Sequence, residues 1–458
     1  MGIWPDTNVG LGPKSLNENE FYGDHYNGFA IPSIETITKG GRTVRYELPN
    51  SALNSDGPME WQLSSAGDQY WLLPTARLSG TMKVVNIVGG AETDCTDNED
   101  FSVCNMPALA IFKQAELYIN GVNVVDISSA NFHYKGYLET QLSYGSDAKN
   151  TFLQTAGYFK DHANTCTQNK TESSTDPTSG WVRRRELFNK SKIWNFGTSL
   201  HLDIFDCPVP LPPGVNMSLK LFRNSDDFVI ISTEAKEYKI KILSLALEFR
   251  KLDFMPAKVA NDLAIIEKGE QPYIMPFSRT RISAQVIPEG IYSYELPYLY
   301  RGLLPQQLII GFVKHAAYNG DKKLNPYVFE NTNLKSLVFK LNDENHPTTE
   351  YTPKWKSGED EYVREYMAMH DQLGVRRLNG GLGITLEDFK TNNCFFVLDL
   401  SADLCNMAKT HLPKTGTIGV NMTWHDKTAE AFQIIQYASF PTALTIGKDG
   451  VCKLVDNI

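Results

Sequence analysis

The sequence predicts an all-β protein made of two similar domains joined in tandem. Three short blocks occur twice in the same order: Leu-Asp-Ile or Leu-Asp-Leu, then Gly-Val-Asn-Met, then Phe-x-Ile-Ile. Repetition in a fixed order at a nearly constant offset indicates a duplicated domain. The blocks begin at Leu202, Gly214 and Phe228 in the first half and at Leu398, Gly419 and Phe432 in the second half.

Length and composition agree with two β domains. A chain of 458 residues is too long for one ordinary hydrophobic core. Its 33 Gly, 23 Pro and 11% aromatic residues suit many strands joined by turns. The net charge of −9 argues against direct sequence-specific nucleic-acid binding, which needs Lys and Arg. We expect the dense basic run Arg183–Arg185 to lie on a solvated strand edge.

The first residues and the cysteines bear on where the protein works. Residues 1–6 contain neither a basic nor an apolar region, so we expect no secretory signal. No run approaches the length of an apolar membrane span, and membrane contact has no support in the sequence. The seven cysteines form no CxxC pair, which predicts reduced thiols and neither a zinc site nor a disulfide scaffold.

Changes in composition divide the chain into four parts. Residues 1–55 are polar and weakly periodic, and we expect them to form an N-terminal arm. Residues 56–252 carry closely spaced strand signals and form the first domain. Residues 253–270 contain an amphipathic stretch and are predicted to connect the domains, while residues 271–458 form the second domain with a C-terminal tail.

Local patterns predict particular turns, bulges and loops. Asn120-Gly121 lies between two apolar runs and predicts a hairpin. Within 239–249 the apolar positions change from even to odd numbers, which predicts a β-bulge near residues 242–243. Two polar insertions, about 89–108 and 160–180, are expected to be exposed loops.

Each half also contains one helical pattern between its strands. Apolar residues at helical spacing run over 134–142 before Gly145, and over 362–373 before Gly374. Apolar stripes of this period closed by glycine are typical of a helix and its C-terminal cap. We therefore expect the two halves to have the same order of elements.

Three patterns resemble catalytic or binding motifs, but a simpler interpretation fits each. His425-Asp426 is expected in an exposed turn, and the glycine-rich stretch 378–383 lacks the Gly-Lys-Ser/Thr of a phosphate loop. Asp203 and Asp399 fall in separate domains, so we expect each to contact backbone or a neighbouring subunit at a strand start. The histidines show no metal-ligand spacing. We predict no catalytic, cofactor or metal site, and hence no enzyme.

Seven segments are recognisable together. They resemble the major capsid protein of Polinton (Maverick) elements and of the related adintoviruses. The resemblance lies in Leu200–Phe205 and Leu211–Val215 of the first half, and in Arg301–Pro305, Leu308–Val313, Ala317–Gly320, Leu324–Phe329 and Tyr362–Met367 of the second half.

This resemblance implies a double jelly roll, in which each half is a sandwich of eight antiparallel strands with short inserted helices. It also implies a homotrimer of pseudo-hexameric outline, the capsomer that tiles an icosahedral shell. The implied partners are neighbouring capsomers, a single jelly-roll penton protein and minor capsid proteins. The chain would be made in the host cytoplasm, assembled in the nucleus, and located in the virion capsid.

Two segments are predicted to lie at the contact between chains of the trimer. They are the loop that contains Pro326 and several aromatic residues, and the helix that ends at Gly374. The candidate contact residues are Tyr318, Asn319, Pro326, Tyr327, Phe329, Tyr362, Arg364 and Tyr366.

Two other classes of protein remain open from the sequence. A carbohydrate-binding or carbohydrate-active tandem β-sandwich would have a concave aromatic platform with convergent acids, and usually a signal peptide. A minor capsid or scaffolding protein would share the duplication without forming the main shell. The oligomeric state of the purified chain separates these alternatives.

Overall fold

The computed structural model describes residues 37–53, 57–64, 68–97, 99–126, 130–161, 179–269, 271–356, 358–375, 381–401 and 414–455. Among these residues, the first half of the chain contains eleven strands. These strands are β1 (Thr38–Glu47), β2 (Met59–Ser64), β3 (Gln69–Val88), β4 (Ala91–Asp94), β5 (Phe101–Val103), β6 (Phe112–Ile119), β7 (Val122–Asn123), β8 (Trp194–Ser199), β9 (Asn216–Arg223), β10 (Ile230–Ser232) and β11 (Glu237–Phe254).

The second half contributes the remaining described strands, and they are longer on average. They are β12 (Tyr273–Ile287), β13 (Ser293–Leu303), β14 (Gln307–Lys314), β15 (Leu334–Leu341), β16 (Glu344–Tyr351), β17 (Phe395–Asp399), β18 (Thr415–Trp424), β19 (Phe432–Ile446) and β20 (Cys452–Val455).

Helices lie in the connections between strands. They are α1 (Asn50–Leu53), α2 (Pro107–Ala110), α3 (Phe132–Ser143), α4 (Ser146–Lys149), α5 (Gly180–Phe188), α6 (Asp226–Val229), α7 (Pro256–Lys268), α8 (His315–Tyr318), α9 (Val363–Gln372) and α10 (Leu386–Thr391). Short 3₁₀ turns cover Phe152–Ala156, Asn189–Ser191, Asp203–Asp206 and Lys448–Gly450.

The two halves have the same strand order. In the first half one sheet contains β1, β11, β3 and β8 as neighbours, and the facing sheet contains β2, β9, β6 and β7. In the second half the sheets are β12-β19-β14-β17 and β13-β18-β15-β16. When the eight strands of each sandwich are numbered in chain order, the order of neighbours in both halves is 1-8-3-6 in one sheet and 2-7-4-5 in the facing sheet. This is the jelly-roll arrangement, so the prediction of a double jelly roll is confirmed.

The inserted helices take equivalent places in the two sandwiches. Helix α3 follows β7 and precedes β8, and helix α9 follows β16 and precedes β17, so both lie between the fifth and sixth strands. Helix α9 ends at the glycine cap that the sequence predicted. Gly374 has a φ of 70°, and its N–H donates to the carbonyl oxygen of Asp371. A helix was correctly predicted at this position of each half, but α4 and α5 also follow α3, and α10 follows α9. The expected glycine cap of α3 is wrong, because Gly145 has a φ of −74° and begins α4.

Two local predictions are also confirmed. Asn120 and Gly121 form the two-residue turn between β6 and β7, with φ values of 44° and 83°. The pairing of β11 with β3 shifts register between Ile242 and Ser244, where the bulge was expected. Gly80 faces this bulge, because a Cβ atom there would lie 2.3 Å from the Ser244 carbonyl oxygen. The bulged strand therefore requires a residue without a side chain opposite it.

The expected N-terminal arm needs a correction. Residues Thr38–Glu47 form β1, which pairs along its length with the last strand of the first sandwich and so belongs to that domain. Most of its side chains are exposed, because β1 is an edge strand that covers little of the core. An exposed edge strand lacks the apolar alternation by which strands are recognised. The rest of the predicted arm that precedes residue 37 lies outside the described residues.

The expected exposed loop at 89–108 is wrong in its second part. Strand β4 is exposed, but the residues from Phe101 to Ala108 are buried. Their polar groups have partners: the Ser102 hydroxyl donates to the carbonyl oxygen of Trp181 at 2.8 Å, and the Asn105 amide donates to that of Phe159 at 2.9 Å. Of the second insertion, 162–178 lies outside the described residues.

The basic run also lies elsewhere than expected, since Arg183–Arg185 belongs to helix α5 and not to a strand edge. Arg183 is exposed, whereas Arg184 is completely buried. The guanidinium of Arg184 donates to the carbonyl oxygens of Val103 and Phe159 and binds the Asp161 carboxylate at 2.8 Å. A buried cation with a full set of acceptors is a structural element of the domain.

The repeated sequence blocks correspond to the fold only in part. The Leu-Asp block closes or follows the sixth strand in both halves, and the Gly-Val-Asn-Met block lies in or just before the seventh. The register differs, because Met217 pairs near the end of β2 whereas Met422 pairs near the start of β13. The third block is not equivalent: Phe228 lies in α6, and Phe432 opens β19. The duplication is therefore one of topology and not of aligned residues.

One continuous hydrophobic core extends through both sandwiches. Leu78, Leu117 and Leu219 fill the first, and Leu308 and Val420 fill the second, all of them fully buried. The buried residues of the two halves belong to one connected cluster. The surface that joins the two sandwiches is consequently part of the folded core.

Candidate functional site: the contact between the two sandwiches

Helix α3 is the central element of the contact between the sandwiches. From Phe132 to Leu142 all of its residues except Glu139 are buried, including Lys135 and Gln141. A helix that is buried all round has neighbours on every side. Here the neighbours belong to both sandwiches, so a helix inserted in the first domain is enclosed by the second.

Aromatic rings form one side of this contact. Tyr137 of α3 stacks on Tyr327 of the second half with ring centroids 4.3 Å apart and planes at 6°. Phe329 lies behind them, 6.0 Å from the Tyr137 ring. The Tyr134 hydroxyl donates to the Pro326 carbonyl oxygen at 3.0 Å. Stacked rings and a satisfied hydroxyl make this a packed core with a defined geometry.

Buried amide groups continue the contact toward the end of α3. The Gln141 side-chain amide donates to the Asn393 oxygen at 3.0 Å, and its oxygen accepts from the Tyr158 hydroxyl at 2.7 Å. Lys149 donates to the carbonyl oxygens of Gln141 and Leu382, at 2.7 and 2.6 Å. Burial, with a smaller effect of the Lys160 charge, lowers the pKa of Lys149 to about 7.

A cluster of charged groups lies on the other side of α3. The Lys135 ammonium is 2.6 Å from Asp203 Oδ1 and 3.5 Å from Glu139 Oε1. Glu139 also contacts His201 Nδ1 at 2.7 Å and accepts from the Tyr437 hydroxyl of the second half at 3.1 Å. The second sandwich is joined to the cluster once more, since Asp203 Oδ2 accepts the backbone N–H of Thr280 at 3.0 Å.

Burial and neighbouring charges move the carboxyl pKa values apart. Burial raises the pKa of Asp203 despite the opposing charge of Lys135. Burial also acts to raise the pKa of Glu139, but the Lys135 charge and the hydrogen bonds from His201 and Tyr437 outweigh it and lower this pKa to about 2. Two carboxyl groups that share one ammonium therefore differ in how readily they accept a proton.

Further ion pairs and hydrogen bonds join the halves around the rim. Lys160 binds Asp388 at 2.7 Å, and Arg281 binds Asp126 at 2.7 Å. The Tyr273 hydroxyl donates to the Pro210 carbonyl oxygen at 2.7 Å. Contacts of this kind hold the orientation of two domains more strictly than apolar packing alone.

The predicted trimer-contact residues of the 318–329 segment make contacts within the chain. Pro326, Tyr327 and Phe329 are buried against the first sandwich. The Tyr318 hydroxyl donates to Asn131 Oδ1 at 3.0 Å, while Asn319 is exposed. The trimer contact itself stays a prediction, and the buried residues of this segment already have a role in joining the two halves.

The predicted contact residues of α9 are divided between interior and surface. Tyr362 stacks on Trp355 at 5.3 Å, and the Tyr366 hydroxyl donates to the Ile384 carbonyl oxygen at 2.9 Å. Arg364 is exposed, and its guanidinium binds the carbonyl oxygens of Thr349 and Glu350. The exposed part of this helix therefore remains the candidate surface.

The motif-like residues lie as follows. His425 and Asp426 form the exposed turn that was expected. Asp399 accepts the backbone N–H of Ser401 at 2.8 Å, and Asp203 accepts that of Thr280, so both acids contact backbone as predicted. They follow or close a strand and do not start one. Of the glycine-rich stretch, 376–380 lies outside the described residues.

The sequence prediction missed the charged and amide residues of α3. Lys135, Glu139 and Gln141 look like the solvent face of an amphipathic helix in the sequence. Their burial could have been inferred from the sequence, because Tyr134, Tyr137 and Leu138 lie between them and leave the helix no continuous polar face. Within the described ranges, no group of three or more His, Cys, Asp and Glu side chains is arranged to hold a metal ion.

No helix in the described parts of the chain is long and apolar enough to cross a bilayer. No known protein-family model matches the sequence. The fold, by contrast, matches solved structures of virus capsids.

A cryo-EM structure of the Sputnik virophage matches with a TM-score of 0.64 and 9% identity, covering 98% of this chain and 93% of that chain. The PBCV-1 virus capsid matches with a TM-score of 0.55 and 11% identity, over 93% of this chain and 99% of that chain. The Faustovirus major capsid protein also gives 0.55, with 9% identity, over 91% of this chain and 92% of that chain. At these identities the likeness shows the double jelly-roll fold.

One curated protein is similar in sequence. An uncharacterized protein of Caenorhabditis elegans is 24% identical over 358 residues, which cover 76% of this chain and 80% of that protein. The similarity extends over most of both chains, so it reaches into both halves of this one.

Proposed function

We propose that this chain is a viral major capsid protein that assembles as a homotrimer of pseudo-hexameric outline and tiles an icosahedral shell. The observation that carries the proposal is the strand order 1-8-3-6 and 2-7-4-5, present twice in one chain. The likeness to the Sputnik, PBCV-1 and Faustovirus capsid structures supports it over nearly the whole length.

The buried contact between the sandwiches gives the duplication a purpose. Because α3 and the aromatic cluster fix one sandwich against the other, the chain acts as a single block with two similar units. Three such blocks around a threefold axis present six similar units, so a trimer occupies a hexagonal packing position. The contact between chains is then heterologous, with different surfaces of the two sandwiches meeting around a closed ring.

The exposed face of α9 is our candidate for that contact between chains. Val363 is 55% exposed and Met367 is 38% exposed, and Arg364 lies beside them. Large apolar side chains on one turn of a surface helix favour burial against a partner. Of the candidate contact residues in the other predicted segment, Asn319 is the exposed one.

The wider assignment follows from the resemblance. We place the chain in the Polinton and adintovirus group, with neighbouring capsomers, a penton protein and minor capsid proteins as partners. Synthesis in the host cytoplasm and assembly in the nucleus belong to the same proposal. A relative in an animal, 24% identical, supports a capsid gene carried by an element in animal genomes.

Size-exclusion chromatography with light scattering tests the proposal on the purified chain. A particle near three times the chain mass of 51.5 kDa is expected, with shells or shell fragments in negative stain. A stable monomer that binds glycans would contradict the capsid assignment and favour a carbohydrate-binding sandwich.

Two variants locate the contact. Val363→Asp places a charge in the apolar face of α9 and is expected to give a folded monomer. Val88→Asp is the matched control, because Val88 is 57% exposed at the end of β3 in the other sandwich, and its variant should remain trimeric. A Val363→Asp variant that remains trimeric would exclude α9 as the contact.

A further inference from the structure

Three side chains at the contact between the sandwiches are arranged for a reaction among themselves. Lys135 Nζ lies 2.6 Å from Asp203 Oδ1 and 3.5 Å from Glu139 Oε1. Only 8% of the Lys135 side chain, 5% of that of Asp203 and 19% of that of Glu139 is exposed. The arrangement is an amine in contact with a carboxyl group, with a second carboxyl group within reach of the same nitrogen.

We propose that Lys135 and Asp203 become joined by an intramolecular isopeptide bond, with Glu139 carrying the protons. Glu139 takes a proton from the ammonium and delivers it to the Asp203 carboxyl group. The neutral amine then attacks Cγ of Asp203, forming the C–N bond. A second proton passes from nitrogen to the departing hydroxyl, the C–O bond breaks, and water leaves. The ammonium and carboxylate are converted to one neutral amide and one water without an oxidant or cofactor.

The other contacts of the cluster position the reacting atoms. The Thr280 N–H donates to Asp203 Oδ2 at 3.0 Å, where negative charge develops as the amine adds to the carboxyl carbon. Lys135 also donates to the His201 carbonyl oxygen at 2.8 Å, which fixes the direction of the ammonium group. Reactive groups held in contact reach effective concentrations on the order of 10⁵–10⁸ M.

The surroundings favour the amide over the ion pair. Two buried ions recover, through their mutual attraction, only part of the hydration free energy that they lose on burial. An amide carries no net charge and avoids this cost. Burial raises the pKa of Asp203, which favours the protonated carboxyl group that an amine attacks. A cavity of about 150 Å³ beside Glu139 and Asp203 gives the released water a place to leave.

The charges also set the pace of the reaction. Burial acts to lower the pKa of Lys135, but the charges of Asp203 and Glu139 outweigh it and raise this pKa. The ammonium therefore holds its proton firmly, so its transfer to Glu139 is the slow step of the proposed reaction. Because the pKa of Glu139 is low, we expect the bond to form slowly after folding.

The bond would stabilise the contact on which the two-domain block depends. It links α3 to the segment that follows β8, across 68 residues of sequence. Helix α3 is the element that the second sandwich encloses, so the cross-link fixes the base against which that sandwich packs. The bond would form within one chain, whether or not that chain assembles into a capsid.

Mass spectrometry of the intact, folded chain tests the proposal. The cross-linked protein is expected to be lighter than its sequence by one water, about 18 Da, and to give a branched peptide joining Lys135 to Asp203 after digestion. An intact mass equal to that of the sequence after prolonged incubation would overturn the proposal, as would a mass loss located in any other peptide.

Variants assign the roles, and an internal control is present in the same sample. Lys135→Arg keeps the positive charge without a nucleophilic amine and should abolish the mass loss. Glu139→Gln should slow bond formation at least tenfold while the protein remains folded by circular dichroism; an unchanged rate would refute its role. The exposed pair Lys83–Asp94, also in contact at 2.8 Å but without a third group, should give no branched peptide.

Discussion

Tyr137 stacks on Tyr327 with ring centroids 4.3 Å apart, and the two residues belong to different sandwiches. Tyr327 is almost completely buried, and so is Phe329 behind it. The pair shows that the two jelly rolls share an interior, in contrast to domains that touch through a wet surface. Stability of the whole chain should therefore respond to changes at this one contact.

Replacing either ring tests this expectation. Tyr327→Ala removes a stacked, buried ring and should lower the free energy of unfolding by about 3 kcal/mol or more. Tyr298→Ala is the control, because Tyr298 is 71% exposed and its loss should change stability by less than about 0.5 kcal/mol. Urea unfolding measures both, and a double-mutant cycle with Tyr137→Ala should give a coupling of about 1 kcal/mol.

The bulge in β11 makes a second prediction. Gly80→Ala places a Cβ atom 2.3 Å from the Ser244 carbonyl oxygen, so the strands must move apart and stability should fall by about 1–3 kcal/mol. Gly197→Ala on the neighbouring strand meets nothing within 4 Å and should be neutral or slightly stabilising. Equal melting temperatures for the two variants would show that the bulge does not constrain residue 80.

The buried guanidinium of Arg184 leads to a third prediction. Arg184→Met removes the buried ion pair with Asp161 and the hydrogen bonds to the Val103 and Phe159 carbonyl oxygens, so we expect the free energy of unfolding to fall by about 3–5 kcal/mol. Arg183→Met, one residue earlier on the exposed side of the same helix, should leave unfolding nearly unchanged. Thermal unfolding of the two single variants measures the contrast, and similar losses in both would contradict the assigned burial.

Lys149 predicts a pH dependence with a definite sign. Its pKa is about 7 in the folded chain and about 10.4 in an unfolded one. Below pH 7 both states hold the proton, and the folded state bears the full cost of the buried charge. Between these two pKa values the unfolded state binds more protons, so the contribution of Lys149 to stability rises with pH.

The measurement is the difference in unfolding free energy between the protein and its Lys149→Met variant. That difference should move in favour of the unmodified chain by about 2 kcal/mol from pH 7 to pH 9. Lys39→Met, at an exposed lysine, should follow the unmodified chain throughout. A constant difference across this range would mean that Lys149 keeps its proton in the folded state.

The sequence predicted those elements whose signal is local. The hairpin at Asn120-Gly121 needs two residues that accept positive φ, and the bulge near Leu243 changes the side of the strand on which apolar residues fall. The two inserted helices carry their own apolar period and, in the second, a closing glycine. Each of these follows from a few neighbouring residues, so no knowledge of distant contacts is required.

The sequence failed where a residue's surroundings come from far along the chain. Strand β1 is an edge strand with little apolar surface, so only its pairing with β11 identifies it. Arginine is usually a surface residue, so the sequence gives no sign that Arg184 is buried. Its hydrogen-bond acceptors come from β5 and from the segment near Asp161. The polar residues of α3 are buried because a second domain, more than a hundred residues later, covers them.

By itself the sequence determined an all-β chain of two similar halves. The alternation of apolar and polar residues, the turn residues and the repeated order of sequence blocks can all be recognised without knowledge of tertiary contacts. Tertiary structure alone decided how the halves meet, since α3 is enclosed by strands and loops that follow it by roughly two hundred residues, as the separations of its bonded pairs show. It also decided which charges lie together: Lys135, Glu139 and Asp203 are brought into contact only when the chain after β8 returns to α3. Burial then gives ordinary residues their particular chemistry.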